Sequence, residues 1–554
     1  MKNWRIHLIL LLLFGLGAII VGRLVFLQIV NEGFYKALAQ GQQNIASFGK
    51  GQRGTIFVQD RTGELYALAS NQRIPFAFVS PAEIENPQEV SQKLADILSL
   101  EYEEVFSKME NKESLFGVLK KRISKSEQEA IEQLTFPGVY VGHDEVRSYP
   151  QGKLASHITG FTNNDGHGQY GAEEFYNDVL EGKEGLKGNS FNPASYILAS
   201  LNSRTSDGSN VVLTIDYNVQ QMAESLLEQW QEGLRFTAGT IIVVNPTNGK
   251  ILALANTPTF NPNDYYKEEN VGVFQNSAIE KLFEPGSVMK SLTMGAALDS
   301  GKVTPQTTYT DTGSLTISGY TIYNYDFETH GLKTMAEVLQ HSINTGAVFA
   351  EKQLGHKDFL AYLKKYKLFE PTDIDLAGEV YSENSVVRNG YEINFATAAF
   401  GQGIEITPMQ LVRAYTSLAN NGIMVEPYIA QYRSEDIQTT QVLSEKAAND
   451  LTTMLVDSVD KNIVGQIPGY YIAGKTGTAQ IPWSVLGINK PGYADDQTIQ
   501  SFIGYFPAYD PKFLVLVKLD QPQTKSAGAS AIPVFRELSE YLIKYYQIPP
   551  DYET

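Results

Sequence analysis

A stretch of small and apolar residues in the C-terminal part of the chain follows Pro285. From Ser291 to Leu298 no residue is charged, and the next charge comes at Asp299. A surface helix would place polar residues on one face, so this pattern predicts a helix buried on most of its surface. Proline suits the first turn of a helix, where its missing N–H breaks no hydrogen bond. We therefore expect a buried helix that begins near Pro285.

Short runs of β-branched and aliphatic residues predict strands before and after this helix. Asp216 directly follows one such run and precedes apolar residues at helical spacing, which predicts a helix capped by Asp216. Strands mixed in this way with helices predict an α+β domain. The predicted elements are a strand at 211–215, a hairpin of 240–244 and 251–254, strands at 501–506 and 513–517, and a closing helix at 532–546.

A second apolar run lies near the N-terminus, between residues 8 and 22. With its flanking residues it reaches the length of about 20 residues that a membrane-spanning helix needs. Lys2 and Arg5 precede it, which places the N-terminus on the cytoplasmic side. No small-residue cleavage site follows the run. The sequence therefore predicts a cytoplasmic segment at 1–5, an uncleaved transmembrane signal anchor at 6–26, and an extracytoplasmic remainder.

The region between the anchor and the α+β domain has a mixed composition and no cluster of catalytic residue types. Within it, residues 84–135 are rich in Glu, Lys and Leu at helical spacing, which predicts an exposed helical insertion. Residues 189–210 are rich in Ser, Asn and Gly and are typical of a linker. We therefore expect one domain at 31–205 and a second at 209–548.

Composition excludes several classes of function. The net charge of −18 argues against nucleic-acid binding and against a broad electrostatic contact with anionic lipid. The chain has no cysteine, which excludes disulfides and thiolate metal sites. We find no zinc-protease motif, no nucleophile elbow and no glycine-rich phosphate loop, so we predict neither a metal nor a cofactor.

The candidate chemistry lies at the start of the predicted buried helix. Ser287 falls in its first turn, where free backbone N–H groups favour a developing negative charge. Lys290 lies three residues on, on the same face, and burial of its ammonium would lower its pKa. A neutral lysine beside a serine hydroxyl is an activated nucleophile that needs no histidine. A serine and a lysine three residues apart also occur in many helices by chance, so this pair alone is weak evidence for a catalytic site.

Two further motifs follow in order: Ser342-Ile343-Asn344 and Lys475-Thr476-Gly477. The motifs Ser-x-x-Lys, Ser-x-Asn and Lys-Thr-Gly, when they follow one another in this order, are characteristic of penicillin-binding proteins and serine β-lactamases. Taken singly, Asn344 could be a helix cap, and Lys-Thr-Gly is a common turn tripeptide. As an ordered set they make the chain resemble a class B penicillin-binding protein.

The N-terminal region extends the resemblance, because six segments resemble the boxes of the class B pedestal. The resemblance implies a membrane anchor, an elongated mixed pedestal of the dimerisation type, and a transpeptidase domain in which an antiparallel sheet packs against helices. The six segments are Arg53–Ile56, Asp60–Gly63, Leu68–Ala69, Arg147–Pro150, Ala155–His157 and Gly168–Glu173.

The resemblance also implies a role for each motif residue. Ser287 would be the nucleophile and Lys290 its base, and Ser342 would relay a proton to the leaving amine. Asn344 would contact a substrate peptide group or position Lys290. The backbone N–H groups of Ser287 and Thr478 would form the oxyanion hole. Substrate would be bound by Lys475, Thr476, Gly477 and Thr478.

The function implied is D,D-transpeptidation, the cross-linking of peptidoglycan stem peptides through a serine acyl-enzyme that β-lactams block. Because 31–205 lacks the acidic motifs of a glycosyltransferase, we expect a monofunctional enzyme that works with a membrane-embedded glycosyltransferase and other cell-wall proteins. Asn344 favours a role in septal synthesis. Two alternatives stay open: a D,D-carboxypeptidase or a β-lactam-hydrolysing or sensing relative, and a non-catalytic scaffold. Glu284, the carboxylate closest to Ser287 in the sequence, is expected to point away from it.

Overall fold

The computed structural model describes residues 51–182 and 206–553, except 113, 115 and 462, together with 15–17 and 20. Most of the predicted anchor and linker lie outside these residues. Among the residues that the structure describes, no helix combines the length and apolar content that crossing a membrane requires. The described chain forms two compact units. Among the described residues, the smaller draws on 51–53, 71–148, 181–182 and 206–208, and the larger on 54–70, 149–180 and 209–553.

Both units contain β-strands. In chain order they are β1 (Ile56–Gln59), β2 (Leu65–Val79), β3 (Gly117–Lys120), β4 (Val139–Ser148), β5 (Phe161–Thr162), β6 (Gly168–Gln169), β7 (Val211–Asp216), β8 (Ala238–Val244), β9 (Ile251–Thr257), β10 (Thr308–Asp311), β11 (Ser314–Ile317), β12 (Tyr320–Tyr323), β13 (Gly331–Thr334), β14 (Ile423–Val425), β15 (Thr439–Gln441), β16 (Ala473–Pro482), β17 (Tyr493–Phe506) and β18 (Phe513–Asp520).

The α-helices lie between and after these strands. They are α1 (Pro87–Leu98), α2 (Tyr102–Ser107), α3 (Lys125–Glu132), α4 (Ser156–Thr159), α5 (Gly171–Phe175), α6 (Asn177–Leu180), α7 (Tyr217–Leu234), α8 (Ser277–Glu280), α9 (Met289–Asp299), α10 (Met335–Gln340), α11 (Asn344–Leu354), α12 (His356–Lys365), α13 (Ser385–Arg388), α14 (Glu392–Ala398), α15 (Pro408–Ala419), α16 (Glu445–Asp460) and α17 (Ala531–Tyr546).

The smaller unit contains the segment predicted as a helical insertion. Its helices are capped as the sequence suggests: Asn86 accepts from Glu89 N at the start of α1, and Ser124 forms a capping box with Glu127 at the start of α3. Two parts of the prediction are wrong. The segment also contains β3, which pairs antiparallel with β2. It is not simply exposed, because its apolar side chains form a core of their own, including Leu94 and Val105.

The larger unit is built on an antiparallel five-stranded sheet in the order β16-β17-β18-β8-β9. Its central strands are buried on both faces, and alternate side chains enter two different cores. In β18, Leu514 and Leu516 join the core that includes α9, α15 and α16, whereas Val515 and Val517 join the core formed with α7 and α17. The sheet is therefore a middle layer between two sets of helices, and β16 is its edge.

The predicted elements of this unit are present, with small shifts in their limits. The cap of α7 is as expected, since Asp216 accepts from the backbone N–H groups of Asn218 (3.0 Å) and Val219 (3.1 Å). The helix predicted after Pro285 is a short 3-10 turn, Gly286–Val288, that leads into α9. Every residue of α9 before Asp299 is buried, which confirms the reading of its apolar sequence.

Candidate active site

Ser287 lies in the middle of the 3-10 turn that precedes α9. Its side chain is half-buried, whereas the residues on both sides of it are buried. Among the described residues, its hydroxyl forms no hydrogen bond, so the oxygen is available to a ligand. Gly286 takes a positive φ of 62°, a conformation that glycine adopts readily. The turn thus presents one serine at the N-terminal end of a buried helix.

Lys290 extends from the first turn of α9 into the interior and is 1% exposed. Its Nζ donates to the carbonyl oxygen of Ser342, and also to Ser342 Oγ at 3.1 Å. Burial lowers the pKa of Lys290 well below its usual value, the charge of Lys475 lowers it further, and Asp326 opposes the change. The lowered pKa favours the neutral amine, which can accept a proton.

Ser342 connects α10 to α11 with a positive φ of 54°, which is uncommon for a residue with a side chain. Its Oγ accepts from Lys290 Nζ at 3.1 Å and from Lys475 Nζ at 3.0 Å. A hydroxyl has two acceptor lone pairs and one proton to donate. With both lone pairs engaged by amines, the hydroxyl proton of Ser342 is left to donate elsewhere.

Lys475 lies on β16, at the edge of the sheet, and is buried. Burial lowers the pKa of Lys475 to about 7. Along β16 the side chains alternate, so Thr476 and Thr478 face the same cleft as Ser287, whereas Gly477 faces the interior. A Cβ at Gly477 would lie 2.4 Å from Ser501 Oγ and 3.0 Å from Pro285 O. The glycine thus lets the nucleophile turn approach the strand.

Asn344 begins α11 but does not contact Lys290. Its Nδ2 donates to the carbonyl oxygen of Tyr323 at 2.8 Å, which leaves its side-chain oxygen to accept from a ligand. The next turn is held by a buried network, because Thr345 Oγ1 donates to Asp311 (2.6 Å) and Asn324 Nδ2 also donates to Asp311 (2.9 Å). This network ties the Ser342 motif to the end of β12.

These residues surround a cleft of about 1080 Å³ that is lined by Ser287, Ser342, Asn344 and Thr478. The aromatic wall of this cleft was not predicted from the sequence. The wall consists of β12 and the loop after it, whose aromatic side chains are 53 to 78% exposed. The feature of the sequence that could have predicted this wall is a set of four aromatic residues within eight positions. They are Tyr320, Tyr323, Tyr325 and Phe327. Across the cleft, Tyr325 OH donates to the carbonyl oxygen of Lys525 at 2.9 Å.

Glu284 precedes the nucleophile turn, and its carboxylate is engaged away from Ser287. It accepts from Gly403 N (3.1 Å) and from Tyr493 OH (3.0 Å). Burial raises the pKa of Glu284 to about 7, although the hydrogen bond from Gly403 opposes the change. These partners hold Glu284 to a loop and to β17, as a structural contact of the nucleophile turn.

Gly401 supports the nucleophile turn from the other side. Gly286 N donates to Gly401 O at 3.0 Å. A Cβ at Gly401 would lie 2.1 Å from Gly286 O, and its φ is 82°. This contact joins residues that are far apart in the chain, and it was not predicted from the sequence.

We expect Gly401→Ala to lower both thermal stability and penicillin labelling, because the new methyl group would push the nucleophile turn out of place. A left-handed φ alone costs about 1–3 kcal/mol in a residue with a side chain, and the steric clash adds to this cost. Gly301→Ala is the matched control: its φ is 69°, but a Cβ there meets nothing within 4 Å. Thermal melts and fluorescent-penicillin labelling compare the two variants. Equal losses in both would contradict this role of Gly401.

The antiparallel sheet, with a serine and two lysines at its edge, defines a serine acyltransferase domain. The family described as "Penicillin binding protein transpeptidase domain" matches residues 239–540, and "Penicillin-binding Protein dimerisation domain" matches residues 49–213. The chain belongs to the class B penicillin-binding proteins.

Individual relatives agree with this assignment. Stage V sporulation protein D of Bacillus subtilis is 31% identical over 559 residues, covering 96% of this chain and 84% of the relative. Peptidoglycan D,D-transpeptidase FtsI of Buchnera aphidicola subsp. Baizongia pistaciae is 29% identical over 571 residues, covering 99% and 96%. Penicillin Binding Protein 2X from Streptococcus thermophilus has the same fold, with a TM-score of 0.71 at 24% identity over 90% of this chain and 80% of that one.

Proposed function

We propose that this chain cross-links peptidoglycan stem peptides through an acyl-enzyme on Ser287, and that β-lactams inhibit it by acylating the same oxygen. One observation carries the proposal: Ser342 Oγ is held between Lys290 and Lys475 in the cleft that Ser287 lines. The membership of the chain in a transpeptidase family supports the reaction type. A relative named as a peptidoglycan D,D-transpeptidase supports the substrate.

In the first half-reaction, neutral Lys290 removes the proton of Ser287, and the serine oxygen attacks the carbonyl carbon of the donor peptide. The negative charge that develops on the carbonyl oxygen is stabilised by the backbone N–H groups of Ser287 and Thr478, at about 3 kcal/mol for each donor. The proton on Lys290 then passes through the hydroxyl of Ser342 to the leaving amine. The two hydrogen bonds that Ser342 accepts orient its hydroxyl for this transfer.

The remaining cleft residues bind the donor. The ammonium of Lys475 attracts a substrate carboxylate, with the hydroxyls of Thr476 and Thr478 as further partners. The free side-chain oxygen of Asn344 accepts from a peptide N–H. We assign Gly477 a backbone role, because its side-chain position is filled by the nucleophile turn and Ser501. In the second half-reaction an amine attacks the ester, which releases Ser287 and forms the cross-link.

Product analysis tests this proposal. The detergent-solubilised full chain is given a synthetic stem peptide as acyl donor and a second peptide with a free amine as acceptor. We expect an amide-linked dimer whose share grows with acceptor concentration. Hydrolysed donor alone, at every acceptor concentration, would show that the protein is a hydrolase.

We expect the rate of penicillin acylation to fall as the pH rises through about 7, because Lys475 loses its proton over that range and with it the charge that attracts the carboxylate. Below the pKa of Lys475 the charge is fully present. In Lys475→Arg the guanidinium stays protonated, so this fall should disappear. Stopped-flow acylation rates over a range of pH measure the effect. The same fall in the arginine variant would exclude Lys475 as its source.

The proposal extends to the whole chain: a cytoplasmic segment at 1–5, a transmembrane anchor at 6–26, an extracytoplasmic pedestal at 31–205, and a transpeptidase domain at 209–548. We place its work in septal synthesis beside a membrane glycosyltransferase, on the basis of the Ser342-Ile343-Asn344 motif and the relative named FtsI. Salt-washed membranes should retain the chain. A mature N-terminus beyond residue 26 would contradict the anchor.

A further inference from the structure

The second half-reaction requires a binding site for the acceptor amine, and the nucleophile end of the cleft does not supply one. A primary amine carries a positive charge at neutral pH. Lys290 and Lys475 both donate to Ser342. Protonated Lys475 repels an ammonium, and the neutral amine of Lys290 carries no negative charge that would attract one. An incoming cation therefore needs a negative group elsewhere in the cleft.

Two carboxylates line the cleft among the described residues, Asp326 and Asp496. Asp326 lies on the loop after β12, the same loop that carries the aromatic wall. Asp496 lies on β17. The charge of Asp326 acts on Lys290 and raises its pKa, whereas Asp496 does not contribute to that change. Asp326 is thus the cleft carboxylate whose charge acts on the amine of Lys290.

The carboxylate of Asp326 is held in place, although it is exposed. Its Oδ1 accepts from Glu328 N at 3.0 Å, and its Oδ2 lies 3.1 Å from Nε2 of His330. The side chain of His330 is only 15% exposed, and its ring lies against that of His341 in a tilted arrangement, with centroids 5.7 Å apart. The contact between Asp326 and Nε2 of His330 does not have hydrogen-bond geometry, so the backbone N–H of Glu328 fixes the carboxylate, and 42% of the aspartate side chain stays accessible.

We propose that Asp326 is the binding site for the ammonium group of the acyl acceptor. The inference rests on the proposed transpeptidase function and names the residue that selects an amine over water. The acceptor binds as an ammonium and releases one proton to solvent. Its nitrogen then forms the new amide bond while the ester bond to Ser287 Oγ breaks. The second amine proton passes to Lys290 and from there to Ser287 Oγ.

The test compares transfer with hydrolysis in the full-length chain carrying Asp326→Asn. A thioester analogue of the donor peptide is turned over with an acceptor peptide that has one primary amine, and the two products are separated by chromatography. We expect the ratio of transfer to hydrolysis to fall about tenfold, the effect of losing one hydrogen bond to a charged group. Both products come from the same acyl-enzyme, so a change in the rate of acylation through Lys290 cancels from this ratio, and labelling by fluorescent penicillin at saturation should still reach completion.

Three comparisons make the test specific. Hydroxylamine is uncharged at neutral pH, so its transfer ratio should be the same in Asp326→Asn and wild type. Asp326→Glu should restore part of the ratio for the primary amine. Asp496→Asn, the control carboxylate in the same cleft, should leave the ratio unchanged.

An unchanged ratio in Asp326→Asn would overturn the proposal, as would equal losses with hydroxylamine and the primary amine. Failure of the wild-type chain to transfer to any acceptor would instead count against the proposed function itself. The two failures are therefore distinguishable.

Discussion

Ser287→Ala should abolish covalent labelling by fluorescent penicillin while the chain stays folded. The substitution removes the attacking oxygen, and no other described serine joins a first helical turn, a buried lysine and the cleft. The Ser287 hydroxyl forms no hydrogen bond among the described residues, so its loss leaves no partner unsatisfied. A change of this kind usually stays within about 0.5 kcal/mol, which corresponds to a shift in melting temperature of about 2 °C or less.

Ser291→Ala is the matched control for this prediction. Ser291 lies one helical turn further along the chain and is fully buried, so it cannot meet a ligand in the cleft. We expect complete labelling of that variant. Gel fluorescence at saturating penicillin, with thermal melts of the same samples, measures both effects. Stoichiometric labelling of Ser287→Ala at another residue would remove Ser287 from its assigned role.

Lys290→Met should slow acylation far more than it changes stability. Loss of a general base costs about 10²–10⁴-fold in rate. Two effects on stability oppose one another. The hydrogen bonds to Ser342 are lost, at about 1–3 kcal/mol for a buried group left unsatisfied. The cost of burying an amine, about 1.4 kcal/mol for each unit by which its pKa is lowered, is removed. Because these two effects oppose one another, we expect the variant to stay folded.

Acylation rates at saturating penicillin, followed by stopped-flow fluorescence, test this prediction. Lys302→Met is the control, since Lys302 lies just beyond α9 and is exposed. Its rate should equal that of the wild type. Raising the pH should not rescue Lys290→Met, because methionine cannot accept a proton. A near-normal rate in Lys290→Met would show that another group acts as the base.

The sequence predicted those parts of the structure that depend on local pattern. The buried helix α9 follows from an unbroken run of small and apolar residues, and the edge strand β16 carries the Lys-Thr-Gly motif where an antiparallel sheet of this class would place it. The family resemblance rested on three motifs in order, and the family comparison confirms it. The roles of Ser287 and Lys290 remain predictions until the variants are measured.

Contacts between distant segments could not be predicted in this way. Gly401 meets Gly286, and Asn344 binds the backbone of Tyr323, but nothing in the local sequence of either residue names its partner. The strand β3 was missed for the same reason, since it depends on pairing with β2. The position of Asp326 in the cleft that Ser287 lines likewise emerges only from the folded loop after β12.

The lifetime of the penicillin adduct tests the central claim most directly. A transpeptidase acyl-enzyme waits for an amine, and the bound drug blocks its approach, whereas a β-lactamase needs a base that activates water. The carboxylate nearest Ser287 in the sequence, Glu284, is bound to Gly403 and Tyr493 instead. After removal of free drug, intact-protein mass spectrometry and peptide mapping should find one penicilloyl group on Ser287 that persists for many minutes to hours. Loss of the adduct within seconds, with turnover of the drug, would contradict the account.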